Sequence, residues 1–126
     1  MKGILPPMAL LAGLLAFSLW NSSQITRDTA RWRAQLQQAD TLSQAGNWPE
    51  AVSTLSNSYA DWNNRQTYLH VVTQHSGVDE TEAMYHRCLA FAQTQELSEF
   101  RAEVAGLREQ LRLLAEMEQF SVRNIL

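Results

Sequence analysis

The stretch Ala45-Gly46-Asn47-Trp48-Pro49-Glu50-Ala51 decides the fold of this chain. Gly46 stops one helix, and Pro49 in a first helical turn, with Glu50 behind it, starts another. Upstream, Ile25, Trp32, Leu36, Ala39 and Leu42 fall on one face at helical spacing. Downstream, Trp48, Val52, Leu55, Tyr59, Trp62, Leu69 and Val72 form the next apolar face, interrupted only by Gln66. This spacing predicts a second helix that ends near His75-Ser76-Gly77, with Gly77 in the left-handed cap conformation.

A third helix is expected from Asp79, which can cap while Glu82 reaches back as in a capping box. It would carry Met84, Cys88, Phe91 and Ala92 inward. That phase fails at Gln95 and Ser98, and the apolar face restarts at Leu97, Phe100, Val104, Leu107, Leu111 and Leu114. The slip predicts a turn over Gln93 to Glu96, with a single bent helix from Asp79 as the alternative. Gly46, Trp48, Ala51 and Leu55 also share their spacing with Gln95, Leu97, Phe100 and Val104, an offset that suggests two stacked helical hairpins.

Before all this lies an uncharged run from Ile4 to Trp20, directly behind Met1-Lys2-Gly3. At about 1.5 Å per residue it would be slightly short of a roughly 30 Å hydrocarbon core, with Lys2 and Trp20 as interfacial anchors. The expected organisation is a short cytoplasmic tail over 1–3, a transmembrane anchor over 4–20 and an extracytoplasmic helical bundle over 21–126. A cleaved signal peptide is the rival, since Ala16-Phe17-Ser18 has the small-x-small form of a cleavage site. Cleavage there would fall inside the apolar run, so retention is favoured. The cytoplasmic placement of the tail is set against Arg27, Arg31 and Arg33, which lie well beyond the run. The fold class is therefore all-α: a single N-terminal transmembrane helix followed by an antiparallel up-down bundle of three to four helices.

Composition narrows the function classes. One cysteine, Cys88, forms no internal disulfide, and on an apolar helical face it reads as a small core residue. The net charge of −3 is spread along the chain without a basic stripe, which argues against a nucleic-acid partner. His70 and His75 stand about 140° apart on a helix, and His86 and Cys88 about 160°, so neither is a chelating pair. Acidic residues at Asp79, Glu80 and Glu82 suit a first helical turn, and His75 suits a helix C-terminus, where it can bond the last carbonyls. No Gly-x-Ser-x-Gly, phosphate-binding glycine loop or His-Glu-x-x-His is present. Trp32, Trp48 and Trp62 fall on the buried faces rather than in a ligand cage. Neither catalytic residues nor a cofactor nor a metal is expected.

Ala-Gly-Asn-Trp-Pro-Glu-Ala looks like the inter-helix turn of a tetratricopeptide repeat, but the period of that class is missing. The N-terminal apolar run, Trp48 with Ala51, Trp62-Asn63, His75 before an acidic helix start, and the closing Ser121-Val122-Arg123-Asn124-Ile125-Leu126 together resemble the domain-of-unknown-function 4363 family. That resemblance covers nearly the whole chain. It implies a small bacterial protein with one N-terminal membrane segment, a helical remainder and no established activity. The up-down order brings His75 to Asp79 and Asn124, Ile125 and Leu126 beside Asn21 to Gln24, where the tail either covers the end of the bundle or forms a contact surface for an integral-membrane partner. A membrane-tethered interaction or accessory protein is the leading expectation. A self-associating structural protein is the competing one, and a small-ligand sensor a distant third.

Overall fold

The computed structural model describes residues 5–65 and 75–125, in four helices: α1 Leu5–Gln44, α2 Trp48–Asn64, α3 His75–Gln93 and α4 Leu97–Ile125. No strand occurs among the described residues. Each helix packs against its two neighbours around a ring, α1 on α2, α2 on α3, α3 on α4 and α4 on α1, as in an up-down bundle.

Two identical turns close the hairpins. After α1, Gly46 adopts φ 76°, its N–H donates to the Ser43 carbonyl (3.0 Å), and the Asn47 N–H reaches back to Leu42 (2.9 Å). After α3, Gln95 adopts φ 56°, with the matching bonds Gln95 to Ala92 (3.2 Å) and Glu96 to Phe91 (2.9 Å). Both are Schellman caps, which pair the orphaned carbonyls at a helix end. The turn expected over Gln93 to Glu96 is thus present, and the single bent helix is excluded. A non-glycine residue simply bears the left-handed strain there.

The repeat extends beyond the turns. Thr29, Trp32, Leu36, Ala39 and Ser43 of α1 are buried, and so are Val78, Thr81, Tyr85, Cys88 and Ala92, the residues 49 positions later in α3. Ala51, Leu55, Ser58 and Trp62 of α2 correspond in the same way to Phe100, Val104, Leu107 and Leu111 of α4. One buried stripe is therefore written twice, and the molecule is a pair of like hairpins facing each other.

Several expectations are corrected. The second helix ends at Asn64, with Arg65 as its C-cap, rather than near Gly77; Leu69 and Val72 lie outside the described residues. The third helix starts at His75, so His75 is at a helix N-terminus and not a C-terminus, and Asp79 lies inside the helix instead of capping it. Gly77 is helical and not a left-handed cap. A Cβ there would meet Leu114 Cδ2 at 2.8 Å, so the glycine serves the close approach of α4 to α3. The inward face of α2 is centred on Ala51 and Ser58, with Trp48, Val52 and Tyr59 packed on its flank, while Leu97 is exposed.

The N-terminal run is helical from Leu5 and continues without interruption into the bundle. Among the described residues, however, no helix is long and apolar enough to cross a membrane. The transmembrane anchor expected over Ile4 to Trp20 does not meet that standard.

Replacing Gln95 by Gly should relieve the left-handed backbone and raise stability by about 0.5–1 kcal/mol, read as a shift in the denaturation midpoint. Trp62→Ala, which empties the fully buried centre of α2, should cost about 3–5 kcal/mol in the same measurement.

Candidate functional site

Three features of the helices offer chemistry or contact. The first lies in the core between α2 and α3, where the Ser58 and Tyr85 hydroxyls share a hydrogen bond of 2.9 Å. Tyr85 stacks against Trp62 (5.5 Å between ring centroids) and edge-on to Tyr59 (5.6 Å). Burial pushes the Tyr85 phenol well above its ordinary range. Tyr59 hydrogen-bonds outward to Glu82 (3.2 Å). Cys88 is fully buried nearby on α3, and burial pushes its thiol up to about 12. A thiol held protonated and out of water is no nucleophile, so this cluster is a packing and polarity-matching device.

The second is a chain of charges binding α1 to α2. Arg65 at the end of α2 donates from Nε (2.8 Å) and Nη2 (2.7 Å) to Asp28 Oδ2, and Arg31 Nη1 holds Asp28 Oδ1 at 3.1 Å. Arg31 Nε and Trp32 Nε1 then converge on Asp61 Oδ2, at 2.6 and 3.0 Å. Asp28 is buried, and both of its oxygens are used. The hydrogen bond to Asp61 is the main reason the Arg31 guanidinium holds its proton more tightly than usual.

The third is the exposed half of α1. Met8, Leu10, Leu11, Leu14, Phe17, Leu19 and Trp20 are each more than half exposed, and at 100° per residue they surround the helix rather than line one side. This apolar arm is roughly 24 Å long between Leu5 and Trp20. Where it joins the bundle, a groove of about 200 Å³ opens between α1 and α4, lined by Thr26, Thr29, Ala30, Arg33, Arg112 and Glu116 among others. Arg112 is paired with Glu109 and Glu116, so the positive charge in the groove is largely compensated.

The register places the residues expected to bind a partner. Asp40 pairs with Arg101 (3.0 Å), and Arg33 acts on Glu109, so α4 runs back along α1 residue for residue. Carried on at the same rise, it brings Asn124 and Ile125 roughly level with Phe17. The close approach of Gly77 to Leu114 puts His75 to Asp79 roughly level with Thr26 to Ala30. All four residues occupy the arm-bearing end of the molecule, but His75 and Asp79 stand over two helical turns away from Asn124 and Ile125 along the axis. Leu126 lies outside the described residues. The charge chain itself was not legible beforehand. Asp28 and Arg65 look like ordinary surface residues, and only the Arg31-Trp32 pairing with Asp61 across the hairpin reveals them.

Among the described residues, no group of three or more histidines, cysteines and carboxylates is placed to hold a metal ion. The model of a domain of unknown function, DUF4363, matches residues 19–125. The chain belongs to that family. The matched region begins at the end of the apolar arm and covers the whole bundle, so the DUF4363 unit is the paired-hairpin body and the arm precedes it. Neither the curated proteins nor the solved structures contain a match to the chain.

Three measurements check the core. Cys88 and Tyr85 both hold their protons more tightly folded than unfolded, so stability should be intact below about pH 9 and fall as pH rises from 9 toward 12. Native protein at pH 8 should resist alkylation of Cys88 until denatured. Tyr85→Phe should cost about 1–2 kcal/mol by stranding the Ser58 hydroxyl, and Ser58→Ala in the same chain should recover much of that loss.

Proposed function

We propose that this DUF4363 protein is a non-enzymatic, membrane-tethered interaction protein. In this reading the α1 arm enters the bilayer and the bundle is presented, outside the cytoplasm, to an integral-membrane partner. The observation that carries it is the arm itself: large apolar side chains surround α1 from Met8 to Trp20 at more than half exposure. Soluble proteins rarely leave so extensive an apolar surface in water, and a helix apolar on every side suits lipid. Lys2 stands just before the arm in the sequence and offers a positive charge for the headgroup region. The unbroken α1 would then hold the bundle directly on the membrane.

The partner surface we propose is the arm-bearing end of the bundle, with His75 and Asp79 on one level and Asn124, Ile125 and Leu126 on another, closer to the bilayer. Self-association along long helical stripes is less well supported. Among the described residues of the bundle, the large apolar side chains left exposed are Leu97, Leu113 and Met117, which make no continuous stripe.

Full-length protein should stay with membranes through alkaline extraction, and deletion of Met1 to Trp20 should release the bundle in folded form. A reporter active only outside the cytoplasm, fused after Leu126, should be active; activity of a cytoplasm-only reporter would reverse the orientation. Deleting Asn124 to Leu126 should leave the melting temperature nearly unchanged while abolishing co-purification of the partner. Loss of stability with the partner still recovered would count against the proposed surface.

A further inference from the structure

The two hairpins solve the same closing problem in different ways at the end nearest the arm. Shifting the charge chain by the 49-residue repeat converts Asp28, Arg31, Trp32, Asp61 and Arg65 into Gly77, Glu80, Thr81, Gln110 and Leu114. Gly77, Thr81, Gln110 and Leu114 also gather, while exposed Glu80 turns away to pair with Arg87 (3.2 Å). Leu114 lies against Gly77 where no side chain intervenes, Thr81 Oγ1 donates to the Gly77 carbonyl (2.8 Å), and Gln110 Nε2 donates to the same oxygen (3.3 Å). The second hairpin is therefore closed by direct packing and neutral hydrogen bonds. The fold has no need of charges at this position, yet the first hairpin has four.

We propose that Asp28, Arg31, Asp61 and Arg65 form an ionic latch that lets the C-terminal turn of α2 detach from α1 while the rest of the hairpin stays shut. Arg65 caps the C-terminal end of α2, and its Nε and Nη2 bonds to Asp28 both end on α1, the helix that bears the arm. Only Asp28 of the four is buried; the side chains of Arg31, Asp61 and Arg65 are 46, 33 and 37% exposed. Water and salt therefore reach three members of the chain and compete for them, which direct packing at Gly77 does not permit. When the chain opens, Asp28 regains hydration and loses little. Ala51, Leu55 and Trp62 are fully buried and hold the rest of α2 in the core, so only the residues after Trp62 are free to come away. Detachment is thus confined to one end, as in local opening of a low-stability segment.

The test is amide hydrogen exchange along α2 in full-length protein held in detergent micelles. On raising NaCl from about 0.05 to 1 M, exchange over Asn63 to Arg65 should accelerate about tenfold while Val52 to Leu55 stays constant, because the Debye length shrinks from over 10 Å to about 3 Å. Transplanting the second hairpin's solution, with Asp28→Gly and Arg65→Leu together, should remove the salt dependence. Asp61→Asn alone, a milder change, should bring exchange at low salt up toward the wild-type rate at high salt. Salt-independent exchange in the wild type, equal acceleration along all of α2, or undiminished salt dependence in either variant would overturn the latch.

Discussion

The constraint on which the molecule depends is that one helix, α1, builds both the bundle and the exposed apolar arm. The stripe Trp32, Leu36, Ala39 and Ser43 fixes α1 in the bundle, buried between α2 and α4, while the same helix carries the apolar arm away from it. No glycine or proline interrupts α1 between Gly13 and Gln44, so the arm and the body are joined by continuous backbone hydrogen bonding. Whatever receives the arm therefore also orients the bundle. The position of the α4 terminus follows, because Asp40 and Arg101 set the register in which α4 returns along α1 toward Phe17.

The body is economical because its stripe is written twice. Each hairpin buries one narrow face, and the two faces close on each other, with half-buried Trp48 meeting buried Phe100 edge-on at 5.4 Å. Buried hydroxyls are paired within this arrangement, Ser58 with Tyr85, Ser43 Oγ with the Asp40 carbonyl, and Thr81 with Gly77, whereas Trp62 Nε1 is buried without a hydrogen-bond partner. Where the halves depart from one another, the differences concentrate at the arm-bearing end, charged in the first hairpin and glycine-mediated in the second. Departures from a repeat that the fold does not require are the places to look for specific roles.

Much of this was legible in the sequence. Phe100, Val104, Leu107, Leu111 and Leu114 are strong helical signals, and all five are buried. The offset between Gly46 and Gln95 disclosed both turns, although Gln95 offers no intrinsic preference for φ 56° and is held there by the cap hydrogen bonds. The boundary between α2 and α3 was misread for a physical reason. Gly77 carries the same composition signal whether it caps a helix or admits a neighbour, and only the 2.8 Å approach of Leu114 distinguishes the two. Tyr85 and Thr81 were missed as core because their hydroxyls suggest a surface, whereas the Ser58 hydroxyl and the Gly77 carbonyl satisfy them inside. The family was legible too, since the motifs that suggested DUF4363 lie largely within the matched residues 19–125.

The central claim is that α1 passes directly from lipid into a water-exposed bundle, and depth-dependent fluorescence quenching tests it most directly. An environment-sensitive label would be placed at Leu14→Cys in the arm or at Arg27→Cys beyond it, in full-length protein reconstituted into vesicles, with buried Cys88 left unlabelled. The label at position 14 should be quenched by lipids brominated along their chains and shielded from aqueous iodide, and the label at position 27 should show the opposite. Equal access of iodide to both positions would contradict the account.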